Sequence, residues 1–330
     1  MPMDVKRGRI ESFDILKSIA IFLVVWCHVL QFWGHHLFDY TFTTVVYSFH
    51  MPVFMIIAGY LFEPKLQKGI VEMGIQRFER LIVPSMAGGL IVLLYTACHQ
   101  SVGLYEILHL PLYCWFLSSL FLCCILYSLL SRVFRQHVIA ETVVLSLIIL
   151  LLFGAEYLKY MVPFFGVGIC ISKAGALDKI GSYPWIIVLT LISLILLLFV
   201  WSPEYTIYKT QCPSLQSFSS FATWEAYFIR LITGTSITMS LMGIAAHIKL
   251  STRVKNTVLL ISNSTLGLYL FQSIVFDCTK NHISLPDWGV LGMMVISFIL
   301  SVLLVAVLEL IIVIVRENKI SAFILLGERI

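Results

Sequence analysis

Asp14, Lys17 and His28, three ionisable side chains within one apolar segment, are the first candidates for chemistry in this sequence. The segment reads SFDILKSIAIFLVVWCHVLQF. Lys17 and His28 are 11 positions apart, so on a helix they share a face to within about 20° and lie about 16 Å apart along the axis. Asp14 precedes Lys17 by nearly one turn. Because charged groups in apolar spans face the protein interior or a wet cavity, the pattern predicts a buried polar site. A satisfied core histidine is the alternative reading for His28.

A second histidine lies in the next apolar segment, SFHMPVFMIIAGYLF. His50 reaches roughly the depth of His28, because the two segments run in opposite directions. Pro52 removes one backbone hydrogen bond, and the freed carbonyl is tolerated only beside a polar cavity. Gly59 allows a neighbouring helix to approach closely. Two imidazoles at matched depth therefore indicate a site where a histidine base can activate a hydroxyl, with His50 either assisting or structural.

Two arginines precede the third apolar segment, in the stretch RFERLIVPS that contains Arg77 and Arg80. Guanidinium groups recognise phosphate through paired hydrogen bonds. Together with Lys17, they can draw a polyphosphate ligand to one mouth of the site. The alternative reading is that they only anchor the chain at the cytoplasmic face of a membrane.

Composition sets the fold class. The 330-residue chain is 59% hydrophobic and 12% charged, with a mean hydropathy of +0.95, whereas soluble proteins have about 25% charged residues. Its apolar runs are continuous, and in lipid only helices or closed barrels satisfy the backbone. The sequence therefore predicts an all-α, polytopic transmembrane helix bundle that forms one integral membrane domain over residues 1–330. We predict ten spans, at 13–33, 41–62, 81–99, 112–130, 137–153, 157–172, 184–201, 226–248, 257–277 and 288–315.

The distribution of Lys and Arg orients this bundle. If the N-terminus is cytoplasmic, only Lys159, Lys209, Arg230 and Lys280 lie near the outer face. Lys17 lies within the first span, which leaves 17 of the 22 Lys and Arg residues inside. An excess of Lys and Arg in cytoplasmic loops is the rule for such proteins. We therefore predict that both termini are cytoplasmic.

The longest hydrophilic stretch, residues 202–225, follows the seventh span and contains several aromatic residues. It is either a loop with an interfacial aromatic belt or a lid whose rings stack on an acceptor such as a sugar. Its Trp224 and Glu225, together with Arg230 and Asp277, are candidates for binding that acceptor. Two cysteines, Cys212 and Cys278, fall in outer loops, and whether they pair is left open.

Several motifs, taken in order, resemble the acyltransferase-3 family of integral membrane O-acyltransferases. The family's first helix carries a basic residue, ten intervening residues and a histidine, as FDILKSIAIFLVVWCH does here. FHMPVFMIIAGYLF resembles its second-helix signature, and RFERLIVP resembles its R-x-x-R-L-x-x-P segment. WFL, PFFGVG and SNSTLGLYLFQ recur in it as well. Two positions depart from the usual pattern, since Lys17 stands where the family more often has Arg and Gln272 stands where it usually has His.

The resemblance implies a stand-alone O-acetyltransferase in the bacterial cell inner membrane. Such a protein moves acetyl from cytoplasmic acetyl-CoA to a hydroxyl of an extracytoplasmic or lipid-linked glycan. The expected catalytic residues are His28, as base or acyl relay, with Lys17 and Asp14. The expected donor-binding residues are Lys17, Arg77 and Arg80. Other expected site residues are His50, Trp115, Trp224 and Gln272.

The same resemblance implies the partners. We expect a glycan or lipid-linked sugar acceptor and membrane lipid, with no nucleic acid and no metal, and we leave homo-oligomerisation open. The alternative function is a transporter or flippase for glycan or acyl carriers, because polar residues inside a helix bundle fit that function equally well. A covalent acetylated product distinguishes the two.

Overall fold

The computed structural model describes residues 10–35, 41–62, 69–100, 103–134, 137–150, 156–206, 212–214, 217 and 220–328. Within them the chain is helical, and ten longer helices correspond to the ten predicted spans. They are α1 Glu11–Trp33, α2 Thr41–Leu61, α3 Ile70–Ala97, α4 Trp115–Val133, α5 Val138–Leu150, α6 Glu156–Lys173, α7 Tyr183–Val200, α8 Phe221–Ala246, α9 Thr252–Thr279 and α10 Gly289–Glu317. The all-α prediction is confirmed. The predicted break between the fifth and sixth spans lies outside the described residues.

Eight helices of the described chain are long and apolar enough to cross a membrane. The other two of the ten are α5, which is shorter at 13 residues, and α6, which carries Glu156, Lys159 and Lys173. The apolar side chains of α7 and α10 are largely exposed, as expected of helices that face lipid. The chain is thus a multi-pass membrane protein.

Two helices begin earlier than their apolar runs predict. The third span is predicted to begin at residue 81, whereas α3 already starts at Ile70. Likewise α8 starts at Phe221, which puts Trp224 on a helix and not in a loop. Polar residues at a helix start lower the local hydropathy, and span prediction therefore begins too late.

The core forms around α1 and α2, which pack on each other and both contact α8. Helices α2 and α6 approach each other closely. A Cβ added to Gly59 would lie 2.0 Å from the Phe165 carbonyl oxygen, and one added to Gly168 would lie 2.1 Å from the Ile56 carbonyl oxygen. The predicted role of Gly59 in close packing is borne out by this geometry.

Of the helices described, three contain a π-helical turn. These turns are Val29–Trp33 in α1, Phe78–Ile82 in α3 and Leu196–Val200 in α7. Such turns often mark functional sites. The first follows His28 directly and the second contains Arg80, so both widen a helix at a residue that the sequence singles out.

A short C-terminal helix, Lys319–Leu326, packs against α3. It ends at Gly327, whose φ of 62° is left-handed, and a Cβ added there would lie 2.4 Å from the Arg80 carbonyl oxygen. Arg316 donates to the Glu328 carboxylate from Nε at 2.9 Å and from Nη2 at 2.8 Å. This segment therefore forms a brace behind the backbone of Arg80.

Candidate active site

His28 and His50 line the same cavity, which we call the histidine cavity and which has a volume of about 360 Å³. Trp115 and Asp277 line it as well. The predicted convergence of the two imidazoles is thus a feature of the structure, and neither histidine points into lipid. Seven aromatic side chains of the described chain form much of the cavity wall, namely Phe32, Tyr47, Tyr113, Trp115, Tyr157, Tyr269 and Phe276.

The His28 ring is oriented by a side chain from α9. Its Nδ1 lies 3.0 Å from Oε1 of Gln272, which is fully buried. Because an amide oxygen only accepts, Nδ1 donates the proton of this hydrogen bond. The rings of Phe32 and Phe276 contact the imidazole at centroid distances of 5.4 Å and 5.8 Å. The Gln272 contact and the two phenyl rings thus hold the His28 imidazole in one orientation on the cavity wall.

The second imidazole is tied to its own helix. Nδ1 of His50 donates to the Val46 carbonyl at 2.9 Å, and Tyr47 packs edge-on against the ring at 4.8 Å. The Tyr47 hydroxyl donates in turn to Oε1 of Gln31 at 2.6 Å. His50 therefore presents its remaining nitrogen from a rigid position on α2, beside the kink residue Pro52.

A carboxylate shares the cavity with the histidines. Asp277 accepts from the Tyr113 hydroxyl at 2.9 Å and from Lys280 Nζ at 2.7 Å. Burial and the neighbouring Asp277 carboxylate raise the pKa of Tyr113 well above its usual value, which keeps this phenol protonated as a donor. Of the acceptor-binding candidates from the sequence, Asp277 is the one that lines the cavity.

Trp115 stacks on Tyr157 with ring centroids 4.0 Å apart and planes inclined by 17°. Both rings line the histidine cavity, as expected for Trp115. Trp224 differs: it stacks on Phe228 at 6.1 Å and is not among the residues that line either cavity described here. Arg230 also lies outside both.

A second cavity of about 400 Å³ contains Lys17, Arg77 and Arg80, and we call it the lysine cavity. The three cations that the sequence groups at one mouth are thus brought together. Arg80 is exposed and Arg77 and Lys17 are half-buried. The rest of the wall is mainly apolar, with Asn263 and Thr265 adding polar groups.

Lys17 is held by the predicted acidic neighbour. Its Nζ lies 3.3 Å from Oδ1 of Asp14, and the same oxygen accepts from the Ser262 hydroxyl at 2.5 Å. Asp14 is buried, which an ionised carboxylate tolerates only when charges and donors surround it. The three residues join α1 to α9 at the lysine cavity.

The two cavities follow one another along the same three helices. On α1, Lys17 and Ile21 line the lysine cavity, whereas Val24 and His28 line the histidine cavity. On α2 the change falls between Phe54 and Met51. Less than one helical turn, about 4.5 Å, therefore separates the cavities on each of these helices.

Tyr269 on α9 lines both cavities. Its ring contacts Phe116 at 5.7 Å, and Phe116 contacts Phe54 at 6.0 Å, so three rings form the partition. The sequence motif contained Tyr269, but it was not singled out. Tyr269 follows Ser262 by seven residues, or about two helical turns, so the two residues lie on the same face of α9. This spacing is the sequence signal that could have identified Tyr269.

Two further predictions concern cysteines and metals. Cys212 and Cys278 both carry free thiols, so they do not pair in this structure. Among the described residues, no group of three or more His, Cys, Asp or Glu side chains is arranged to hold a metal ion.

The fold and the site together define a multi-pass membrane protein with two adjoining cavities, one lined by two histidines and the other by three cationic side chains. The family model described as an acyltransferase domain matches residues 10–310, so the chain belongs to the acyltransferase-3 family and is an acyltransferase.

Two relatives carry the same name. Nodulation protein NolL of Mesorhizobium japonicum is 25% identical over 298 residues, covering 82% of this chain and 77% of the relative. Nodulation protein NolL of Sinorhizobium fredii is 27% identical over 193 residues, covering 51% of this chain and 50% of the relative. No solved structure is significantly similar to this chain.

Proposed function

We propose that this acyltransferase moves the acetyl group of acetyl-CoA to a hydroxyl of an extracytoplasmic or lipid-linked glycan. The donor binds in the lysine cavity and the acceptor in the histidine cavity. One observation carries the proposal: the two cavities follow one another along α1, with Lys17 in the first and His28 in the second.

The lysine cavity suits coenzyme A in charge and in shape. The phosphate groups of coenzyme A bind at Lys17, Arg77 and Arg80, because guanidinium groups form paired hydrogen bonds with phosphate oxygens. The thin pantetheine arm lies along the apolar wall and brings the thioester toward Tyr269. Lys17 keeps the charge of the family's more usual arginine but loses the paired hydrogen bonds, so the two arginines supply the forks.

His28 acts on the acceptor hydroxyl from the histidine cavity, on the other side of the Tyr269 ring. As base, Nε2 takes the hydroxyl proton while the oxygen attacks the thioester carbonyl. A C–O bond forms, the C–S bond breaks, and the proton passes to the CoA thiolate. As relay, Nε2 attacks the thioester carbonyl first, so an N–C bond forms, the C–S bond breaks and CoA leaves as the thiolate. The acceptor oxygen then attacks this acetyl group, a C–O bond forms, the N–C bond breaks, and the hydroxyl proton passes to the CoA thiolate. Both routes require the Nε2 lone pair, which the Gln272 contact to Nδ1 favours.

The histidine cavity suits a sugar. Apolar and aromatic walls with a few convergent polar groups are typical of small-ligand sites. The stacked pair Trp115 and Tyr157 offers flat faces for a pyranose ring, and Asp277 offers an acceptor for its hydroxyls. His50 assists from α2.

We further propose that the protein lies in a bacterial inner membrane with both termini in the cytoplasm. Support comes from the Lys and Arg distribution of the sequence and from the three cations of the lysine cavity. In this orientation the lysine cavity opens to cytoplasmic acetyl-CoA and the histidine cavity to the outer side.

Transfer of labelled acetyl tests the proposal. Membranes that contain the protein are incubated with acetyl-CoA labelled in the acetyl group, and the glycans and glycolipids are analysed by mass spectrometry. Labelled ester is expected with the wild type and is expected to fall at least 100-fold in His28→Ala. The matched control is His282→Ala. His282 is exposed, hydrogen-bonds the Tyr95 hydroxyl and lines neither cavity.

Retained transfer in His28→Ala, at equal protein levels, contradicts the role of His28. Transport of an unmodified carrier without any ester product contradicts the proposal as a whole and favours the transporter alternative.

A further inference from the structure

A short turn beside the histidine cavity contributes one side chain to it. The turn, Pro203–Thr206, follows α7 and packs against α2. Its last residue, Thr206, lines the histidine cavity together with His28 and Asp277. No sequence pattern distinguishes this threonine, which lies in the hydrophilic stretch at residues 202–225.

The Thr206 hydroxyl is buried and has no hydrogen-bond partner in the part of the chain that the structure describes. The residue is 1% exposed, and its Oγ1 has no hydrogen-bond partner among the described residues. A buried hydroxyl without a partner is unfavourable, and most such groups in proteins are satisfied. A hydroxyl in this state on a cavity wall is suited to a ligand that supplies the missing partner.

Arg230 of α8 fixes the turn that carries this threonine. Its side chain is fully buried and donates from Nε to the Tyr205 carbonyl at 2.9 Å, from Nη2 to the Glu204 carbonyl at 3.3 Å and from Nη1 to the Tyr160 hydroxyl at 2.7 Å. The guanidinium group also lies over the Tyr160 ring at 5.3 Å. Two successive carbonyls of the turn are thus bound by one rigid fork.

We propose that Thr206 hydrogen-bonds the acceptor at an oxygen other than the one that is acetylated, and that Arg230 is the positioning residue for this contact. The inference rests on the proposed function and narrows it: the acceptor carries at least two oxygen atoms within reach of the site, because a second hydroxyl or ether oxygen must reach Thr206 while the first is at His28. Thr206 thereby helps to select which hydroxyl is acetylated.

Thr206→Val tests the contact, because it removes the hydroxyl and keeps the shape. The sugar that carries the acetyl group is first identified by mass spectrometry in membranes with the wild type, and its methyl glycoside is the acceptor probe for the purified full-length protein. We expect Thr206→Val to raise the KM for this glycoside about tenfold, with the KM for acetyl-CoA within about twofold of the wild type. Thr206→Ser restores the hydroxyl and is expected to restore the KM.

Thr233→Val is the matched control. Thr233 is equally buried, and its Oγ1 likewise has no hydrogen-bond partner among the described residues, but it lies on α8 and lines neither cavity. Tyr160→Phe removes one Arg230 contact and is expected to raise the glycoside KM by a smaller factor without changing that of acetyl-CoA.

Two outcomes overturn the inference while leaving the proposed function intact. One is an unchanged glycoside KM in Thr206→Val, and the other is an equal rise in Thr206→Val and Thr233→Val. If the wild type forms no acetyl ester on any membrane glycan, the proposed function fails first and the role of Thr206 falls with it.

Discussion

At the level of single side chains, the contact between His28 and Gln272 orients the imidazole and makes its Nδ1 a hydrogen-bond donor. The two residues are 244 positions apart in sequence and 3.0 Å apart in space. An acceptor at Nδ1 is the usual device for fixing a histidine tautomer. Gln272 stands where the family usually has His, and both side chains offer an acceptor atom.

This contact makes a prediction for Gln272. Gln272→Leu keeps the approximate volume but removes the acceptor, so the ring is no longer held with its proton on Nδ1. We expect kcat to fall about 10- to 100-fold while the KM for acetyl-CoA and for the acceptor changes little, measured by labelled acetyl transfer. Gln272→His supplies another acceptor and is expected to retain most activity. A rise in either KM without a fall in kcat means that Gln272 contacts substrate instead.

Spacing along one helix predicted part of the site. The pairing of Lys17 with Asp14, and the shared cavity of His28 and His50, follow from helical periodicity and from the antiparallel order of two spans. Thr206 and Tyr113 could not be predicted in this way. They lie in connecting segments with no periodicity, and their positions depend on contacts with Arg230 and Asp277 that only the folded chain defines.

At the level of helices, α1, α2 and α9 form a continuous wall along both cavities, and Tyr269 lies where the cavities meet. Its ring is 9% exposed and packs edge-on against Phe116. Under the proposed function, the thioester and the hydroxyl meet beside this ring. The ring therefore limits both the size of the acyl group and the entry of water.

Tyr269→Ala is expected to merge the two cavities. Water from the histidine cavity then reaches the thioester, so acetyl-CoA hydrolysis without acceptor should rise at least severalfold relative to transfer. Acyl-CoA donors longer than acetyl should also become better substrates. Tyr269→Phe keeps the ring and should leave the ratio of hydrolysis to transfer within about twofold of the wild type. An unchanged ratio in Tyr269→Ala means that the partition lies elsewhere.

The helices themselves were largely predictable, because lipid requires long apolar runs with internally satisfied backbones. What the sequence did not reveal are the early starts of α3 and α8 and the π-helical turns after His28 and at Arg80. A π-helical turn rotates every later residue about the helix axis, so those residues face a different side. No local pattern of apolar residues encodes such a turn.

At the level of the whole molecule, the C-terminal brace contacts the backbone of Arg80, and Arg80 lines the lysine cavity. Gly327 lies against the Arg80 backbone with no room for a Cβ. We expect Gly327→Ala to displace the backbone of Arg80 and to raise the KM for acetyl-CoA severalfold with little change in kcat. Gly175→Ala is the matched control, since Gly175 has a similar φ of 58° but open space around it. Equal effects of both substitutions would indicate backbone strain alone and no displacement of Arg80.

Among the described residues, those that line the two cavities all precede position 278, whereas the brace is formed by residues 316–328, beyond the family match that ends at 310. Under the proposed function, we expect a chain shortened after Glu317 to keep these cavity residues and to show a raised KM for acetyl-CoA, because the contact of Gly327 with the Arg80 backbone is lost. Residues 318–328 thus support the lysine cavity without lining it.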